Sequence, residues 1–163
     1  MTDAEPRSAG AEQFFRLMSL HKYWLNADFL RDVFMKRIEG ATPPHERGFA
    51  AMMDNTIAMS LWYATMYVVI EGWREARLSD HDVDTLLTQE GHVEHLRVFR
   101  NQVFHYQKAY DNPKLLQFLG TSDDDAGAVT TWIKSTHTAL GKAIETAIQA
   151  NLDPDRDRRA GQT

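Results

Sequence analysis

The stretch AMSLWYATMYVVI, Ala58 to Ile70, is the most apolar run of the chain and decides its fold class. Its thirteen residues carry no charge and end at Glu71. A helix that crosses a membrane needs about 20 apolar residues, so this run is too short for that role. A helix that is apolar on nearly every side belongs at the centre of a helical protein. We therefore expect a buried central helix here.

Helical periodicity continues on both sides of this run. Apolar residues recur at three-to-four spacing, which predicts amphipathic helices, and no segment shows the alternation of a strand. Gly40 is expected to end the first helix, and Thr42-Pro43-Pro44 to open the second. Ser79 is expected to begin a capping box at the start of the third helix. Asp123 to Asp125 are expected in a solvated loop. The predicted helices cover about 11–39 (with one break allowed), 45–77, 79–89, 91–110, 112–120 and 126–152.

These elements predict an all-α fold, an up-and-down bundle of four main helices plus one or two short helices. The bundle would form one domain over residues 11–152, since 163 residues suit a single core. Residues 1–10 and 153–163 are small and polar, which predicts disordered ends.

Composition narrows the functional classes. The chain is 43% hydrophobic and 25% charged, with a net charge of -5, which argues against sequence-blind nucleic-acid binding through a broad basic surface. It has no cysteine, so disulfides and thiolate chemistry are excluded. The N-terminus lacks the layout of a secretory signal. We expect a cytoplasmic protein that needs no cofactor and does not enter a membrane.

The stretch FRNQVFHYQ, residues 99–107, carries the polar residues most suited to chemistry. On a helix, Asn101 and His105 are neighbours one turn apart, flanked by Arg97 and Lys108, and the long side chain of Arg100 can reach the same face. Arginine binds phosphate through two parallel donors. Histidine changes charge near neutral pH and can take a proton from a 2′-hydroxyl or return one to a leaving oxygen. These residue types suit phosphodiester cleavage without a metal.

The spacing of arginine and histidine alone carries little weight. An arginine followed by a histidine five to seven positions later occurs three times: Arg16 with His21, Arg74 with His81, and Arg100 with His105. Chance gives roughly 1.5 of them for this composition. Only in the third pair does a polar residue, Asn101, follow the arginine within one predicted helix.

The sequence RNQVFH, residues 100–105, resembles the signature of HEPN domains, an arginine, a polar residue that is often asparagine, three further residues and a histidine. In that family the motif lies on the last-but-one core helix of an all-α bundle. The resemblance implies a homodimer in which two motifs share a cleft. Many HEPN proteins are metal-independent endoribonucleases, often toxins or antiviral effectors.

Carried over to this chain, the resemblance makes Arg100 and His105 catalytic, with Asn101 in support as the residue that orients His105. Arg97, Lys108 and Tyr106 flank the motif and would bind substrate. One branch of the family pairs with a nucleotidyltransferase antitoxin and has a tyrosine two positions after the histidine, where this chain has Gln107. One alternative is a catalytically silent HEPN-like bundle that binds a nucleotide or a protein partner, because fold alone does not establish activity. Another is a helical structural protein in which Arg100 and His105 only stabilise packing.

Other residues leave alternatives open. His92, Glu94 and His95 form either a metal site or a solvated helix start, and no facing E-x-x-H pair supports the metal. Glu71 follows the apolar run and needs a cationic partner, either Arg74 or Arg100. Either Phe99 or Phe104 would point into the bundle.

Overall fold

A computed structural model describes residues 9–40, 48–89, 91–108, 113–120 and 122–152. These residues form six helices and no strand, so the predicted all-α bundle of four long and two short helices is confirmed. The helices are α1 (Ala9–Glu39), α2 (Phe49–Glu75), α3 (His81–Leu87), α4 (His92–Phe104), α5 (Pro113–Leu119) and α6 (Asp123–Leu152).

The helix α2 is the centre of the bundle, as its apolar run predicts. It packs against α1 on one side and α4 on another, and α1 also packs against α6. Among its fully buried side chains are Trp62, Met66, Val69 and Ile70. Burying a large apolar side chain contributes about 1.5–3 kcal/mol, which is why this run determines the architecture.

The long helix α1 is unbroken and includes Ala9 and Gly10, which the sequence had assigned to a disordered end. It stops at Gly40 as expected, where the Gly40 amide donates to the carbonyl of Lys36. The predicted opening of the second helix at 42–45 lies outside the described residues, as do 1–8 and the tail from 153.

The short helix α3 is capped by Asp80 rather than by the expected Ser79. The Asp80 carboxylate accepts hydrogen bonds from the amides of Asp82 and Val83, whereas the Ser79 hydroxyl donates to Asp84. A carboxylate at this position accepts hydrogen bonds from two amides that have no partner within the helix. Its negative charge also interacts favourably with the positive end of the helix dipole.

The helix α6 begins at Asp123, so the expected solvated loop at 123–125 is wrong. Ser122 precedes it, and its hydroxyl accepts a hydrogen bond from the amide of Asp125. Acidic side chains are favourable in the first turn of a helix because they face its positive end. The run of three aspartates is therefore a helix start.

The helix α4 ends at Phe104, six residues before its predicted end. Within residues 104–108 no apolar side chain packs into the core, since Phe104 is 50% exposed and Tyr106 is 91% exposed. The side chain of Gln107 donates to the carbonyl of His105 and satisfies one group at the helix end. Residues 109–112 lie outside the described residues.

None of the helices in the described ranges has the combination of length and apolar character that crossing a bilayer requires.

Candidate functional site

The side chain of Arg100 is held by three groups on α2 and α4. Its Nη1 donates to Oδ1 of Asn101 at 3.0 Å, and its Nη2 lies 3.4 Å from Oε2 of Glu71. The guanidinium also lies over the ring of Tyr67, 5.4 Å from the centroid. Tyr67 and Glu71 are one helical turn apart on α2, so both face α4 together. The guanidinium is therefore fixed in place beside a partly exposed surface.

The structure pairs Glu71 with Arg100, one of its two expected partners. The Nη2–Oε2 distance is at the outer limit for a hydrogen bond, and the side chains remain 29% and 44% exposed. Such a pair contributes about 0–1 kcal/mol to stability. Moreover, Nε of Arg100 is buried and has no hydrogen-bond partner among the described residues. Because the Glu71 contact is long and partly exposed, displacing Glu71 from Nη2 costs little.

His105 lies just beyond the helix rather than within it. It is the C-cap of α4 with extended backbone angles, φ -116° and ψ 139°, and its amide donates to the carbonyl of Asn101 at 3.1 Å. The expected continuous helix through Arg100 and His105 is wrong for this reason. The side-chain oxygen of Asn101 accepts from Arg100 instead of orienting the imidazole. Asn101 therefore positions Arg100, and the exposed imidazole makes no hydrogen bond to any described residue.

The three expected substrate-binding residues are exposed but not gathered on one helical face. Arg97 donates twice to Glu94, at 2.8 and 2.6 Å, and this hydrogen bonding raises the pKa of Arg97 and lowers the pKa of Glu94. Tyr106 and Lys108 follow the end of α4. Arg97 is thus committed to an ion pair, whereas Tyr106 and Lys108 lie on the segment that carries His105.

The structure also decides which phenylalanine enters the core. Phe99 is fully buried, with its ring centroid 6.2 Å from that of Tyr63 and 5.3 Å from that of Phe118. Phe104 is half exposed at the helix end. Buried Phe99 anchors α4, and this anchoring directs Arg100 and Asn101 toward the partly exposed side.

A second polar cluster, which the sequence had not indicated, lies inside the bundle. His137 on α6 is only 1% exposed. Its Nδ1 lies 3.2 Å from Nε1 of Trp62, and its Nε2 lies 3.0 Å from Oδ1 of Asp28. Its spacing in the sequence is the signal that indicates burial. His137 lies four residues after Ile133 and three before Leu140, on the buried stripe of α6.

The contacts of His137 assign its tautomer. The indole of Trp62 can only donate, so Nδ1 accepts and Nε2 carries the proton that is donated to Asp28. Burial lowers the pKa of His137, and the hydrogen bond to Asp28 partly opposes this. Because both ring nitrogens are engaged, neither is free for a substrate. The cluster is structural despite its aspartate–histidine pair.

The possible metal ligands near the start of α4 do not form a site. His92 stacks on Trp132 with ring centroids 4.9 Å apart, and burial is the main reason that its pKa is lowered. Among the described residues, no three His, Asp or Glu side chains are placed to hold a metal ion.

Comparison with known proteins adds no relative: no family model, curated protein or solved structure matches this chain. The resemblance of residues 100–105 to the HEPN signature therefore rests on those six residues and on the helical fold.

Proposed function

We propose that this protein is a metal-independent endoribonuclease of HEPN type that acts in the cytoplasm, with a composite site at a homodimer interface. The observation that carries the proposal is the placement of the Arg100 guanidinium. The guanidinium is held by Asn101, Glu71 and Tyr67 next to solvent. The exposed imidazole of His105 belongs to the residue just beyond the end of α4.

In this proposal Arg100 binds the scissile phosphate. A charge-assisted hydrogen bond to an anionic oxygen has a length of about 2.7–2.9 Å, shorter and stronger than the 3.4 Å contact with Glu71. The phosphate would thus displace Glu71, while Asn101 keeps hold of Nη1. Because the phosphate contact would be stronger than the Glu71 contact, the weak surface ion pair serves as a preorganised anion site.

His105 performs the proton transfers. As a base it takes the proton of the 2′-hydroxyl, and the 2′-oxygen attacks phosphorus to form a 2′,3′-cyclic phosphate. The leaving 5′-oxygen needs a proton at the same time, and one imidazole cannot supply both roles in a single step. A second copy of His105, brought in by the two-fold axis of a homodimer, provides the acid.

The residues around His105 support an RNA ligand. Phe104 and Tyr106 leave aromatic surface exposed on either side of it, and unpaired bases stack on such side chains. Lys108 follows on the same segment with its charge in solvent. Together they give an anionic protein a local surface for a single strand.

The test is cleavage of a single-stranded RNA in EDTA by wild type, Arg100→Ala and His105→Ala. We expect cleavage by wild type and a loss of at least about 100-fold in each variant, the scale of one general acid–base group. His81→Ala is the matched control, since His81 is exposed at the start of α3, and should cleave as wild type does. A folded, dimeric wild type that leaves RNA intact would contradict the proposal.

One observation favours the alternative of a silent HEPN-like bundle. Both terminal nitrogens of Arg100 have protein partners, as expected for a residue that only joins α4 to α2. Such a protein would bind a nucleotide or a protein partner, an antitoxin included, without cleavage. Nucleotide binding that is lost in Arg100→Ala, with no product in the RNA assay, would establish this alternative.

A further inference from the structure

A cavity of about 370 Å³ lies between α1 and α2, next to the Arg100 pair. Arg16 and Tyr23 line it from α1, and Glu71 and Glu75 line it from α2. Leu20 and Val68 supply apolar surface. This volume falls within the range of small-molecule sites, about 300–1,000 Å³. A mainly apolar cavity with a few converging polar groups is the usual form of a ligand site.

Three of the polar residues that line this cavity offer a donor, an acceptor and a ring. Glu75 is exposed and, among the described residues, makes no ion pair or hydrogen bond. Arg16 is the donor, with one terminal nitrogen on Glu12 at 2.6 Å. Tyr23 leaves 47% of its surface exposed, so its ring is open to stacking. A flat ligand that presents donors to Glu75 and acceptors to Arg16 would use all three groups.

Among the RNA bases, guanine alone meets these requirements. Its N1–H and 2-amino group are adjacent donors that match the two oxygens of a carboxylate, which can only accept. Its O6 and N7 are the acceptors that an arginine fork prefers. Adenine and cytosine place a ring acceptor beside their amino group, and uracil flanks its one N–H with two carbonyl oxygens. Each of these bases would set a lone pair against Glu75.

We propose that the cavity between α1 and α2 binds a guanine base, with Glu75 on its N1–H and 2-amino edge, Arg16 on O6 and N7, and Tyr23 stacked on its face. This inference deepens the proposed function and rests on it for RNA as the ligand, because it gives the nuclease a preference for guanosine. Glu71 connects the two sites: it lines the cavity and contacts Arg100. A base in the cavity and a phosphate on Arg100 therefore lie on either side of one side chain, as the two ends of one nucleotide would.

The test is calorimetric titration in EDTA with guanosine 3′-monophosphate, inosine 3′-monophosphate and adenosine 3′-monophosphate. A bidentate base contact corresponds to a preference of about 5- to 150-fold, so wild type should bind the guanosine nucleotide at least about fivefold more tightly than the adenosine nucleotide. Inosine lacks the 2-amino group and should fall between them. Tyr23→Leu should weaken binding of all three by about tenfold, because each loses stacking.

Glu75→Gln should bind the guanosine and adenosine nucleotides equally, because an amide offers a single acceptor and adds a donor. Glu145→Gln, the same change at an exposed site on α6, should keep the wild-type preference. Equal binding of the two nucleotides by wild type would overturn the proposal, as would a guanine preference that survives in Glu75→Gln. If Glu75→Gln melts early, the inosine comparison on wild type and the Tyr23→Leu titration decide.

The outcome for the cavity is separable from the outcome for the nuclease. RNA cleavage that depends on His105 but shows no guanine preference would refute only the cavity. Guanine-selective binding without cleavage would refute only the nuclease.

Discussion

Gly141→Ala tests the packing of α1 against α6 most sharply. A Cβ at Gly141 would lie 2.4 Å from Cζ2 and 2.7 Å from Cε2 of Trp24, where carbon atoms need about 3.5–4.0 Å. Trp24 cannot yield freely, because its indole donates to the carbonyl of His137 at 3.1 Å. The substitution therefore forces the indole to move and threatens that hydrogen bond.

The expected loss of unfolding free energy follows from three contributions. Overpacking costs about 1–3 kcal/mol, and the endangered hydrogen bond adds about 0.5–1.5 kcal/mol. Alanine in place of glycine within a helix returns about 1 kcal/mol. The net expectation is a loss of about 0.5–3.5 kcal/mol, measured by urea unfolding followed by circular dichroism.

Gly127→Ala is the matched control on the same helix. A Cβ there would meet nothing within 4 Å, so the variant should gain about 0.5–1 kcal/mol from helix propensity alone. In a Trp24→Leu background, Gly141→Ala should lose most of its cost because the clash is gone. Equal stabilisation by Gly127→Ala and Gly141→Ala in the wild-type background would refute this packing.

Three further predictions concern the buried cluster, a helix cap and the anchor of α4. Because the pKa of His137 is lowered, the unfolded chain binds more protons below about pH 6.5, so the stability advantage of wild type over His137→Asn should shrink as the pH falls from about 7 to 5 in urea unfolding. Asp80→Ala should cost about 1 kcal/mol in the same assay, because two amides lose their acceptor. Phe99→Ala should cost about 3–5 kcal/mol, whereas Phe104→Ala should change stability by less than about 0.5 kcal/mol.

A different outcome would contradict each of these three predictions. A difference between wild type and His137→Asn that stays constant with pH would mean that burial does not hold His137 neutral. An Asp80→Ala variant as stable as wild type would place the cap elsewhere, and equal costs for Phe99→Ala and Phe104→Ala would mean that α4 is rotated.

The fold class was predictable because burial follows helical periodicity. The apolar run around Trp62 required a central helix, and Gly40 marked the end of α1. The end of α4 was not predictable in the same way, because Tyr106 continues an aromatic pattern but has no core to pack against, as its exposure shows. Local chemistry also misled at Asp123, where acidic residues suit both a loop and a helix start.

The sequence predicted polar contacts only where a charged residue needed a partner of opposite charge. A carboxylate after an apolar run needed a cation, but only the approach of α4 to α2 selects Arg100 over Arg74 for Glu71. The environment of His137 could not be predicted, because Trp62 and Asp28 lie 75 and 109 positions away in sequence. Contacts between distant helices depend on how the helices dock, which periodicity does not specify.

The most direct measurement is the cleavage, in EDTA, of a DNA strand that contains one ribonucleotide. Attack by the 2′-oxygen predicts a single cut after that ribose by wild type, with 2′,3′-cyclic phosphate and 5′-hydroxyl ends, and no cut by His105→Ala. If the cavity binds guanine as proposed, guanosine as the ribonucleotide should give the fastest cleavage. A folded, dimeric wild type that leaves this strand intact, or a cut that persists in His105→Ala, would contradict the proposed catalytic role of His105.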